Sequence, residues 1–130
     1  MDDVITFSEG LIGLKEYQQF IIKSIPEQEA FLLLQSTEDE NFGLIITPPF
    51  WFKRDYEFEL SDHYVEQLGD KESLEVFVVV TLADLPQAVT ANLLGPLVMN
   101  RKKGIGFQVL VPDRGYTTKY KLLSEASVGG

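Results

Sequence analysis

Short apolar runs alternate with turn signals roughly every 8 to 12 residues along the chain, the rhythm of an all-β protein. Val4-Ile5-Thr6-Phe7 reads as a first strand, followed by turn residues Ser8, Glu9, Gly10 and Gly13. Residues 19–25 predict a second strand, stopped by Pro26. Residues 30–35 and 42–47 flank the polar stretch 36–41 and predict a hairpin. Pro48-Pro49 ends that ladder, because proline has no N–H to donate to it.

Residues 55–60 alternate strictly between carboxylates and apolar groups. The period of two predicts a strand with Asp55, Glu57 and Glu59 on one face and Tyr56, Phe58 and Leu60 on the other. Ser61 is placed to cap a short helix reaching about Leu68, with Asp62 in its first turn. Tyr64, Val65 and Leu68 fall at helical spacing for an inner face, and Gly69 suits the position after the last turn. Residues 74–82 carry the strongest strand signal, a nearly unbroken β-branched run that expects cover on both faces. A loop is predicted at 84–88 around Pro86. A strand at 93–100, broken by Gly95-Pro96, then turns through Arg101-Lys102-Lys103-Gly104 into another at 105–111. The remainder reads as a polar, mobile tail.

That makes about eight strands and one or two short helices. So many strands must close or cover their edges, which predicts a small barrel-like or rolled antiparallel sheet. One domain is expected over residues 1–123, with a flexible tail at 124–130. The length, 130 residues with 45% apolar side chains, suits one domain with a real core.

Charge narrows the partners. The net charge is −9, and it is uneven: residues 1–99 hold 18 acids and 5 bases, residues 100–130 hold 2 acids and 6 bases. An acidic body argues against direct nucleic-acid binding, which rests on neutralising phosphates, and favours a basic partner. The chain has no cysteine, which removes disulfides and thiolate chemistry and mildly favours a reducing, cytoplasmic setting. No signal peptide and no apolar run of membrane-spanning length is expected.

Candidate chemistry is sparse. His63 is the single histidine, and its neighbours Ser61 and Asp62 cannot form a catalytic relay, which is assembled from separate elements. Asp55, Glu57 and Glu59 would stand about 7 Å apart along one strand face. That overlaps the separation of paired glycosidase carboxylates, so a small carbohydrate-active enzyme is the rival reading. Same-face acids on an alternating strand are more simply a solvated row, available to a basic partner. The 36–41 loop lacks the frame of a calcium loop, and Gly104-Ile105-Gly106 lacks that of a dinucleotide fingerprint. No cofactor or metal is expected. Phe50-Trp51-Phe52 would supply interface anchors if any of them stayed exposed.

An ordered set of motifs resembles one family. Ile5-Thr6-Phe7-x-Glu9-Gly10-Leu11-x-Gly13 is similar to the opening signature of the FliW family, as are Leu34-Gln35-Ser36 and Pro49-Phe50 leading to residues 55–60. The most specific stretch is Thr90-Ala91-Asn92-Leu93-Leu94-Gly95-Pro96-Leu97-Val98-Met99-Asn100. Gly106-x-Gln108-Val109 and Tyr116-Thr117-Thr118-Lys119 continue the match to about residue 121. The chain departs from the family where Ser8 and Ile12 replace expected prolines, and where only Met1-Asp2-Asp3 precede the first motif.

The resemblance implies a cytoplasmic regulator with a barrel-like β fold and no catalytic activity. It would act as a monomer and bind flagellin and the translational repressor CsrA by turns. Asp55, Tyr56, Glu57, Glu59, Asn92 and Leu93 are the expected partner-binding residues, with no direct contact to nucleic acid or membrane.

Overall fold

The structure is a computed structural model and describes residues 4–85 and 88–122. Nine strands form one sheet among these residues: β1 (Val4–Thr6), β2 (Gln19–Ile25), β3 (Gln28–Ser36), β4 (Gly43–Thr47), β5 (Leu74–Thr81), β6 (Thr90–Ala91), β7 (Leu97–Asn100), β8 (Ile105–Gln108) and β9 (Tyr120–Lys121). The order is β4-β3-β2-β1-β8-β7-β5-β6-β9, and β4 also pairs β5. The sheet therefore rolls into a ring, with β6 and β9 branching from it, rather than a regular barrel. It is not purely antiparallel, since β1 meets β8 in parallel through Thr6 and Ile105.

Local chemistry explains most joints. Pro26-Glu27 makes a two-residue turn between β2 and β3, with Glu27 at a φ of 64°. The basic 101–104 turn joins β7 to β8, and its Gly104 has a φ of 69° and no room for a Cβ, which would lie 2.9 Å from the Val4 carbonyl. The loop between β3 and β4 is held by Ser36, whose Oγ accepts from the Glu38 and Asp39 amides at 3.0 Å.

The core has two sides. Inside the ring, Ile5, Phe7, Phe20, Leu34, Ile46 and Phe77 pack as one cluster. Outside it, β5, β7 and β8 are covered by residues 55–60, by helix α1 (Asp62–Leu68) and by the 116–122 stretch, through Phe58, Leu60, Leu68, Tyr116 and Leu122. The residues after 111 are therefore not a loose tail up to 122. They form a short 3-10 turn at Pro112–Arg114 and then β9, which pairs β6. The predicted tail at 124–130, like the centre of the predicted loop at Pro86, lies outside the described residues.

Two further expectations change. Residues 55–60 form no strand, although their burial alternates as the sequence pattern requires. Helix α1 starts after Ser61, but the Ser61 side chain makes no capping bond, and Val65 is 43% exposed while Leu68 is fully buried. A seven-residue helix resting on one sheet face has room to bury only a narrow stripe.

Candidate protein-binding site

The 55–60 segment is anchored by side chains in place of a strand ladder. The Tyr56 hydroxyl donates to the Leu93 carbonyl at 2.6 Å, and both residues are buried in one cluster with Val78 and Ala91. Burial pushes that hydroxyl far above the ordinary tyrosine range, so it stays a donor. The neighbouring residue is held by Tyr116, whose hydroxyl meets both the amide and the carbonyl of Glu57. Tyr56 and Tyr116 also pack ring against ring, with centroids 4.7 Å apart.

This anchoring points the carboxylates outward. Asp55, Glu57 and Glu59 are all exposed. Asp55 is paired with Lys53 at 3.1 Å, and the hydrogen bond from that ammonium holds its carboxyl below the usual range. Glu57 is paired with Arg114 at 3.1 Å. A glycosidase pair needs one acid buried in an apolar pocket, and all three carboxylates are exposed, so the geometry does not favour the enzyme reading. His63 lies on the helix surface with Nε2 3.0 Å from a Glu9 carboxylate oxygen, where it ties α1 to the loop after β1.

The 92–96 loop has a topological origin. β6 and β7 pair with the same β5 strand, at Val80–Thr81 and at residues 74–77. The chain between them must leave the sheet and return. Asn92 shapes that excursion: its Oδ1 accepts from the Leu94 amide at 3.1 Å and from the Gly95 amide at 2.9 Å. The motif residue Gln108 adds a clamp that sequence reasoning did not single out. Its Nε2 donates to the Gly95 carbonyl at 2.9 Å, and its Oε1 accepts from the Ile12 amide at 2.8 Å. The opening motif and the 92–96 loop are thus joined through one side chain.

The expected site residues fall into two kinds. Asp55, Glu57 and Glu59 face solvent, whereas Tyr56 and Leu93 lie beneath them at 3% and 1% exposure and Asn92 is half-buried. Apolar surface accompanies the acids. Phe50 and Trp51, on the 3-10 turn Pro49–Trp51, are 45% and 46% exposed. An open groove of about 330 Å³ runs from Phe50 past Phe58 and Leu60 to Leu74, Val76 and Val98.

Comparison with known proteins agrees with this fold and these motifs. The family model for the FliW protein matches residues 1–122. The flagellar assembly factor FliW of Bacillus subtilis is 36% identical over 127 residues, covering 96% of this chain and 89% of its own length. That of Alkaliphilus metalliredigens is 38% identical, covering 95% of this chain and 78% of its own length. A crystal structure of the flagellar assembly factor FliW superposes with a TM-score of 0.87 at 33% identity, covering 95% of this chain and 87% of that one. The rolled sheet, the ordered motifs and this similarity together show that the chain belongs to the FliW family of flagellar assembly factors.

Proposed function

We propose that this chain is a protein-binding regulator of flagellum assembly with no chemistry of its own, which binds flagellin and the RNA-binding repressor CsrA by turns. Holding CsrA relieves repression of flagellin translation. New flagellin takes the factor away and restores repression. Family membership carries this reading.

The exposed acids support it. A repressor that grips RNA must present Lys and Arg to phosphates, and a row of carboxylates on a chain of net charge −9 attracts such a surface. In this reading Asp55, Glu57 and Glu59 form the rim of the CsrA contact. Tyr56 holds that rim to Leu93, and Asn92 shapes the loop beside it. The chain acts as a cytoplasmic monomer, without a cofactor and without touching nucleic acid or membrane.

The test is a pulldown of the full chain with purified CsrA and purified flagellin, separately and together. Each should be retained alone, and flagellin should displace CsrA. Retention of neither sinks the reading. Retention of both at once removes the alternation.

A further inference from the structure

The outer face of β5 is only partly covered by its own chain. The run at 74–82 is nearly continuous in apolar residues, with Leu74, Val76, Val78 and Val80 on one side and Phe77 and Val79 on the other. Its inner side packs into the ring core through Phe77 and Val79. On the outer side Val78 is fully buried under Tyr56 and Leu93, but Leu74 and Val76 stay half-buried. The 55–60 segment covers this face with side chains alone, and its cover stops short. What remains is the groove, with Leu74, Val76 and Val98 as its base and Phe58, Leu60 and the exposed Phe50 beside them.

We propose that this groove seats a bulky apolar side chain from a protein segment flanked by Lys or Arg. The inference rests on the protein-binding reading above and deepens it by naming the chemistry of the segment that docks. Three observations carry it. A nearly continuous apolar strand expects cover on both faces, and here part of that cover is missing. The volume, about 330 Å³, falls within the roughly 300–1,000 Å³ of ligand pockets and has room for a bulky apolar side chain. The charge around it is predominantly acidic: residues 55–72 carry seven acids against Lys71, Lys53 and Arg114 offset only Asp55 and Glu57, and Glu57 and Lys71 line the groove itself.

That charge also selects against other occupants. A second copy of this chain would bring the same acidic row to the contact, and like charges face to face oppose association. An anionic membrane surface is repelled for the same reason. A basic segment with an apolar anchor gains on both counts, since the anchor fills the groove and its neighbours meet Glu57 and Glu59.

The experiment uses the full chain, labelled with nitrogen-15, titrated with the designed peptide KKLFKK. Saturable amide shifts are expected at Phe50, Glu57, Leu60, Leu74 and Val76. Peptides KKGSKK and EELFEE, which lack the anchor or reverse the flanks, should bind at least about tenfold more weakly. Glu57→Lys should weaken KKLFKK and Lys71→Glu should strengthen it. Effects of opposite sign cannot come from loss of fold. Phe50→Ala should weaken it by about tenfold, a step of roughly 1.4 kcal/mol. Absence of shifts at these amides, or equal binding by all three variants, overturns the proposal. Because no flagellin or CsrA is present, a failure here is distinguishable from a failure of the pulldown.

Discussion

The Tyr116 hydroxyl holds Glu57 by both of its backbone polar groups, accepting from its amide at 3.0 Å and donating to its carbonyl at 2.8 Å. One side chain thereby does for this residue what a neighbouring strand would do in a ladder. It fixes which way the 55–60 segment faces, and so keeps the acids on the outside.

Tyr116→Phe removes both bonds and keeps the ring against Tyr56. The expected loss is about 1–2 kcal/mol, because the site is partly wet and water replaces some of what is lost. Denaturant unfolding should show it, together with faster amide exchange at Glu57. An unchanged exchange rate there would mean that Tyr56 alone secures the segment.

Val78→Asp should remove a large part of the fold's stability. Val78 is fully buried between the strand pairings of β4 and β5. An unpaired carboxylate there costs on the order of 3–5 kcal/mol, against a total stability of about 5–15 kcal/mol for a domain. A thermal melt resembling the parent's would show that the strand is less central than its burial implies.

Asn92→Ala frees the amides of Leu94 and Gly95 and should lower stability by about 1–2 kcal/mol. Partner affinity measured well below the melting point should then change little. Lost affinity at unchanged stability would instead make Asn92 a contact residue.

Joint reversal of Asp55, Glu57 and Glu59 to Lys should leave the fold intact, since the pairs with Lys53 and Arg114 are solvent-screened surface pairs that contribute little. Association with CsrA should slow and lose its salt dependence, because steering acts over a Debye length of about 8 Å at physiological ionic strength. Stopped-flow rates across a salt series read this directly. An unchanged rate and slope would move the contact away from this row.

Acid should destabilise the fold through Glu38. Its Oε1 accepts from the Gln19 and Gln18 amides at 2.7 and 2.8 Å, and these bonds hold the carboxyl below its usual 4.5. As pH falls, the unfolded chain takes up this proton first. The stabilisation is therefore fully present above about pH 5 and fades as pH falls through 4.5 toward the lower folded value. Glu38→Gln should flatten the acid limb of the denaturant midpoint against pH. An acid limb of the same steepness would assign it to other carboxylates, Asp55 first, which Lys53 also holds low.

Much of this fold is written in local chemistry. Seven of the strands, the helix after Ser61 and the turn at 101–104 follow from β-branched runs, alternation, Pro and Gly. Those signals are local because steric preference and burial on one side act residue by residue. The acidic row and the likeness of the motifs to one family were equally legible, since both are read directly from residue order.

The rest needed partners far along the chain. Alternation at 55–60 reports which side chains are buried, but a strand also requires a neighbouring backbone about 4.8 Å away. Here the bonds come instead from Tyr116, 59 residues on from Glu57, and from Leu93, 37 residues on from Tyr56. β6 and β9, two residues each, are too short to leave a pattern. The parallel meeting of β1 with β8 exists only once the ring has closed. The unfinished cover over Leu74 and Val76 was decided there too: sequence shows that a strand expects cover, while only packing determines how much of it the same chain supplies.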